Sequence, residues 1–94
     1  MRTIRRATDL AAEYAHGPLA RRSSLEEVHV EPDGTFTVVV GRSAVQLVLG
    51  APPFRRKLDQ AARVVAELDR RGAKADSIML DNDARPERVV VRMR

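Results

Sequence analysis

Residues 52–71 read PPFRRKLDQAARVVAELDRR, and Gly72 and the apolar run Ile78-Met79-Leu80 follow. At helical pitch Phe54, Leu58, Ala61, Val65 and Leu68 fall at successive spacings of four, three, four and three, which aligns them as one apolar stripe. Nine of the other fifteen positions are charged. Asp59 with Arg63 and Glu67 with Arg71 are spaced for i,i+4 ion pairs on the wet side, but each such pair stabilises by only ~0.2–0.5 kcal/mol. Burying one large apolar side chain stabilises by roughly 1.5–3 kcal/mol. Amphipathic packing therefore makes this helix, and a helix of that kind needs an apolar surface to cover. Prolines bound it at the start, where a missing N–H costs nothing, and Gly72 bounds it at the end.

The surface comes from the alternating runs before it. Leu25 to Glu31 sets Val28 and Val30 on one face against Glu27, His29 and Glu31 on the other. Pro32-Asp33-Gly34 is a hairpin signal, proline fixing φ and glycine accepting positive φ. Thr35 to Val40 then gives Phe36, Val38 and Val40 on one side. After the Gly41-Arg42-Ser43 turn, Ala44 to Leu49 sets Val45, Leu47 and Leu49 against Gln46 and Val48. These three runs predict an antiparallel meander with one apolar face. Beyond the helix, Ile78-Met79-Leu80 is a short strand, Asp81 to Glu87 a turn-rich connection, and Arg88 to Met93 the last strand. Its alternation directs Val89, Val91 and Met93 inward and Arg88, Val90 and Arg92 outward.

At the N-terminus Ile4, Ala7, Leu10, Ala11 and Tyr14 follow the helical period up to His16-Gly17-Pro18, a helix stop. Arg21-Arg22-Ser23-Ser24 reads as a polar linker. The order is thus α-β-β-β-α-β-β: one α+β domain over residues 1–94, with a helix and linker over 1–24 and the sheet with its covering helix over 25–94. It is a mainly antiparallel five-stranded sheet with two helices packed on one face. The crossover helix leaves open which sheet edge the last two strands join.

Ninety-four residues, 44% hydrophobic and 32% charged, suffice for one folded domain with a modest core. Only 3% are aromatic, so the core is aliphatic, with Phe36 and Phe54 supplying much of its bulk. Seventeen basic residues against thirteen acidic give a net charge of +4, and every basic residue except Lys57 and Lys74 is arginine. That excess favours anionic surfaces without naming one. The absence of cysteine excludes disulfides and thiolate metal sites. No apolar run approaches the ~20 residues of a membrane span.

Motifs for catalysis are missing. His16 and His29 have no second ligand at metal spacing, and His29 lies with Glu27 and Glu31 on a polar face. No G-x-S-x-G, Walker loop or dinucleotide fingerprint occurs. Asp81-Asn82-Asp83 invites a calcium reading, but Ala84-Arg85-Pro86 cannot complete the ligand set, and turn formation accounts for these residues. The reading is of a non-enzymatic domain without cofactor. A small basic nucleic-acid-binding domain is the alternative, but the arginine pairs are scattered, and few aromatics are free for base stacking.

Leu49-Gly50, Phe54-Arg55-Arg56-Lys57-Leu58, Val64-Val65-Ala66-Glu67-Leu68, Arg70-Arg71-Gly72, Ile78-Met79-Leu80-Asp81 and Arg88-Val89-Val90-Val91-Arg92 together resemble the FtsQ/DivIB family of bacterial cell-division proteins. The match is to the C-terminal part of the family's extracytoplasmic β domain. There a glycine-led loop enters a helix, a leucine, basic, glycine exit follows, and an Ile-x-Leu strand precedes a final Val-x-Val-Arg strand. The resemblance covers residues 25–94.

It implies a single-pass protein of the inner (plasma) membrane at the division septum, with a cytoplasmic tail, a transmembrane helix, a POTRA domain and this periplasmic domain. The first three are absent from this chain, which is either a piece of a longer protein or a stand-alone relative. The resemblance further implies a scaffold that recruits FtsB and FtsL (DivIC), with an extended segment of the partner added along the last strand. On this sequence the corresponding residues are Arg88, Val90 and Arg92 on the strand, with Asp81 and Asn82 in the turn before it. The chain departs from the family where Asp-Leu-Arg-Tyr is common, carrying Met79-Leu80-Asp81-Asn82. An anion replaces a cation there, so pairing with a partner carboxylate moves to Arg85 or Arg88. An edge strand whose arginines merely discourage aggregation is the plainer account of the same residues.

Overall fold

The computed structural model describes residues 2–94. The elements are α1 (Arg2–His16), a 3-10 turn (Pro18–Arg21), β1 (Leu25–Val30), β2 (Phe36–Val40), β3 (Val45–Gly50), α2 (Phe54–Arg70), β4 (Ala75–Met79) and β5 (Val90–Met93). Spatial order equals chain order, β1-β2-β3-β4-β5, so β1 and β5 are the edges. The β3–α2–β4 crossover makes β3 and β4 parallel, and the other three pairs are antiparallel. This is the expected α+β architecture, and the strand order left open by the sequence is now defined.

Local chemistry accounts for the turns. Between β1 and β2, the Asp33 carboxylate accepts hydrogen bonds from the Thr35 backbone N–H at 3.0 Å and from its hydroxyl at 2.6 Å, while Gly34 takes φ +84°. Those two bonds hold the Asp33 carboxyl below the ordinary carboxylate range.

One row of side chains crosses all five strands on the helix-covered face: Val28, Val38, Leu47, Ile78 and Val91, each directly opposite the next. Val38, Leu47 and Ile78 are fully buried at its centre. Against this row pack Phe54, Leu58 and Ala61 of α2 and Leu10 and Tyr14 of α1. Phe36 and Phe54 meet edge to face with centroids 5.3 Å apart, a geometry favoured by the ring quadrupoles. The other face carries two rows, Glu27–Val39–Gln46–Ser77–Arg92 and His29–Thr37–Val48–Met79–Val90. Among the described residues no helix lies over them.

Several sequence-level expectations need correction. The last strand begins at Val90, not Arg88, because Arg88 closes the preceding turn with its N–H on the Arg85 carbonyl at 2.9 Å. Met93 is 52% exposed rather than inward, since it pairs with Ala75 beside a bulge on a strand with no neighbour on its far side. The fourth strand starts earlier, at Ala75. The segment read as a linker is tied down: Leu19 is buried, Arg22 pairs with Asp69 at 3.3 Å, and the Tyr14 hydroxyl donates to the Ser23 carbonyl at 2.6 Å. On α2, Glu67 pairs with Arg71 at 2.9 Å and also with Arg70, whereas Asp59 and Arg63 form no ion pair among the described residues.

Burial pushes the Tyr14 hydroxyl up to about 12 from 10.0, and the charge of Glu26 adds to the effect. A group whose pKa is raised by folding stabilises fully below its unfolded value and loses that contribution as pH climbs to the folded one. Stability should therefore hold up to about pH 10 and fall between pH 10 and 12. Tyr14 is the chain's only tyrosine, so tyrosinate absorbance reads it directly. The native midpoint should lie near 12, the midpoint in denaturant near 10, and Tyr14→Phe should lose that component of the alkaline fall in stability.

Candidate interaction site at the fifth strand

The ten residues from Leu80 to Val89 connect β4 to β5, and those from Asp81 to Arg88 are all exposed. A segment so poor in buried apolar groups is held by polar contacts. The Leu80 N–H extends the β3·β4 ladder to the Val48 carbonyl at 2.8 Å. The Arg85 N–H donates to both the side-chain Oδ1 of Asn82, at 3.1 Å, and its carbonyl, at 3.2 Å. Gln60 on α2 donates from Nε2 to the Pro86 carbonyl at 2.9 Å.

The main anchor is Lys57. Its side chain is fully buried, and the ammonium donates to the carbonyls of Leu49 at 2.8 Å and Ala51 at 2.5 Å and pairs with Asp83 Oδ1 at 2.7 Å. Three N–H groups meet three acceptors, so the buried charge is satisfied. Gly50, between the two carbonyls, has φ +73°, and a Cβ there would stand 2.8 Å from Asp81 Cβ. The close approach of β3's end to the β4–β5 turn thus requires glycine. By sequence pattern Lys57 is one of the charged positions of the helix; the structure buries it at the margin of the apolar stripe, next to Leu58. One signal for this lies in the sequence: Lys57 is one of only two lysines among seventeen basic residues, and a compact ammonium, unlike a planar guanidinium, can turn its donors onto three converging oxygens.

Asp81, Asn82 and Arg85 come together in this turn, Arg88 at its exit, and Val90 and Arg92 on β5. All six are exposed, Val90 by 44%. Asn82 serves its own turn, and Asp83 is turned to Lys57. Val90 and Arg92 belong to the uncovered face, Val90 ending the row that passes through half-buried Val48 and Met79. The free edge beside them has a defined parity. The Arg94 N–H bonds the Lys74 carbonyl at 3.0 Å. Since the bulge lies on β4, alternation along β5 turns the backbone groups of residues 90 and 92 toward β4 and those of 89, 91 and 93 to the open side. A concavity of about 230 Å³ lined by Ser43, Val45, Val65, Leu68 and Lys74 lies at the opposite end of β4. It shares no residue with this site.

Lys57→Met should leave two carbonyls and Asp83 without their donor and lower stability by about 2–4 kcal/mol, read by urea unfolding, with faster amide exchange in the β4–β5 turn than elsewhere. Gly50→Ala, forcing a side chain into positive φ, should cost about 1–3 kcal/mol in the same assay.

Comparison with known proteins supplies the lineage. The chain is 32% identical over 87 residues to the cell division protein FtsQ of Anaeromyxobacter sp. (strain K), covering 93% of this chain and 29% of that protein. It is 36% identical over 90 residues to the cell division protein FtsQ of Myxococcus fulvus (strain ATCC BAA-855 / HW-1), covering 96% of this chain and 31% of the relative. No protein-family model and no solved structure matches. The chain spans about 30% of the length of these curated relatives. Identity runs along nearly the whole chain, and its strand and helix order is that expected of an FtsQ C-terminal domain, so the chain is similar to that part of these FtsQ proteins.

Proposed function

We propose that this domain is a non-enzymatic scaffold of bacterial cell division that binds partner division proteins by strand addition along β5. Its similarity to FtsQ proteins over nearly its whole length supports the division role. The observation that carries the binding mode is the position of β5 at the sheet edge, with the backbone groups of Val89, Val91 and Met93 directed away from β4. An edge of that kind accepts an extended segment through main-chain hydrogen bonds, and the alternating side chains select which segment. Val90 and Arg92 would flank the incoming strand, with Arg85, Arg88, Asp81 and Asn82 at its end. The family's partners are of the FtsB and FtsL (DivIC) type, and by the same reasoning the domain works outside the cytoplasm, tethered to the inner membrane by a segment of the longer protein. Among the described residues no helix is long and apolar enough to cross a membrane.

The nucleic-acid reading has less support, because every aromatic side chain is buried: Tyr14, Phe36 and Phe54 are at most 7% exposed. None is available for base stacking.

Because the Val91 N–H faces the open side, Val91→Pro removes a donor from the binding edge and not from the β4·β5 ladder. It should leave the circular dichroism spectrum native and abolish calorimetric binding of an FtsB-type peptide. Native-level affinity in the folded variant would refute strand addition at β5. Tight, salt-dependent binding of DNA in a gel shift would favour the alternative.

A further inference from the structure

We infer that β5 of one copy pairs with β1 of a second copy, head to tail, continuing the sheet from molecule to molecule. This goes beyond partner binding and does not rest on it.

Directions come first. β1, β3 and β4 run one way and β2 and β5 the other, so a second copy in the same orientation presents its β1 antiparallel to β5. The side-chain rows then give a register. The uncovered row Glu27–Val39–Gln46–Ser77–Arg92 ends in opposite charges. Continuing it places Arg92 opposite Glu27 of the second copy. The same register sets Val90 opposite that copy's His29, and extending it by two residues, beyond the strand ends, would bring Arg88 opposite its Glu31. On the helix-covered face Val91 meets Val28 of the second copy, and half-buried Val89 meets its Val30, which is 45% exposed.

Hydrogen-bond parity agrees with this register. The Glu31 N–H bonds the Thr35 carbonyl at 2.8 Å within the β1–β2 hairpin. With the bulge confined to Leu25–Glu27, alternation points the backbone groups of Val28 and Val30 outward. On β5 the outward residues are Val89 and Val91. The pairs Val91·Val28 and Val89·Val30 are therefore the ones able to exchange main-chain hydrogen bonds. Among the described residues no hydrogen bond outside the strand ladders engages these four backbones.

Charge selects this pairing over the two-fold alternatives centred on Val90 and on His29. Two β5 strands paired about Val90 would set Arg88 opposite Arg92 of the other copy; two β1 strands paired about His29 would set Glu27 opposite Glu31. Like charges directly opposed across strands are destabilising, and opposite charges are stabilising. His29 Nε2 engages Glu27 Oε1 at 2.7 Å, which leaves the second carboxylate oxygen of Glu27 for Arg92.

Sedimentation equilibrium of the chain at low salt, over rising protein concentration, tests the inference. The expected result is association beyond a dimer that weakens as sodium chloride is added. The exposed-residue variants Glu27→Arg/Glu31→Arg and Arg88→Glu/Arg92→Glu should each associate about tenfold more weakly or not at all. An equimolar mixture of the two should recover association, because each then offers an edge complementary to the other's. Should either reversal disturb the far-ultraviolet spectrum, the corresponding glutamine substitutions replace it. A chain that stays monomeric at low salt, single variants that associate like the parent, or a mixture that does not recover would each overturn the proposal. The outcome is distinguishable from partner binding, since Glu27 and Glu31 lie on the edge opposite the proposed partner site.

Discussion

The buried ammonium of Lys57 is the constraint on which the end of the domain that carries the candidate site depends. A buried cation is costly unless its donors are all met. Here they are met by two carbonyls flanking Gly50 and by a carboxylate from the far turn. One atom therefore fixes the end of β3, the entry into α2 and the approach of the β4–β5 connection. That connection exposes every residue from Asp81 to Arg88, so burial contributes little to holding it. Its path, and with it the point at which β5 begins, is determined by the contacts of Lys57 with Asp83 and of Gln60 with Pro86. Arginine in the same place could not turn its planar fork onto those oxygens, which gives a physical reason for lysine in a chain that otherwise prefers arginine.

Most of the fold was legible because it rests on periodicity. The stripe from Phe54 to Leu68 and the alternation of Val28, Val38, Leu47 and Val91 are patterns that burial imposes directly on sequence. The misjudged features depend on contacts between distant segments. Lys57 looked like any exposed charge because its acceptors are main-chain oxygens, which leave no mark in composition. Leu19 lay in a stretch too short and polar for a period to show, yet it is buried where the 3-10 turn meets the helices. Met93 followed the alternation correctly and is exposed all the same, because a sheet edge supplies no further neighbour.

The geometry of the candidate site was legible in part for a related reason. Arg88, Val90 and Arg92 could be named from alternation, but whether that strand was an edge depended on strand order, which a crossover helix leaves undetermined. Once the order β1-β2-β3-β4-β5 is known, hydrogen-bond parity follows from two turn contacts, Glu31 with Thr35 and Arg94 with Lys74. Parity in turn sorts the residues of β5 into two roles. Val90 and Arg92 bond inward to β4 and present side chains to the uncovered face, whereas Val89 and Val91 present main-chain groups to the open side and side chains to the core.

That division of labour resolves the apparent conflict between a protective edge and a binding edge. Charges at alternate positions oppose any strand that would place like charge against them, which includes a second β5 paired two-fold about Val90. They also favour a strand whose opposite charges fall in a register that main-chain parity permits. Discrimination of this kind needs no pocket and little area, only agreement between two alternations of period two, one in the backbone and one in the side chains. On the proposed reading Arg88 and Arg92 would guard the edge and select its partner by a single mechanism, and the bulge in β1 limits how far a strand on that edge can pair before the two alternations fall out of step.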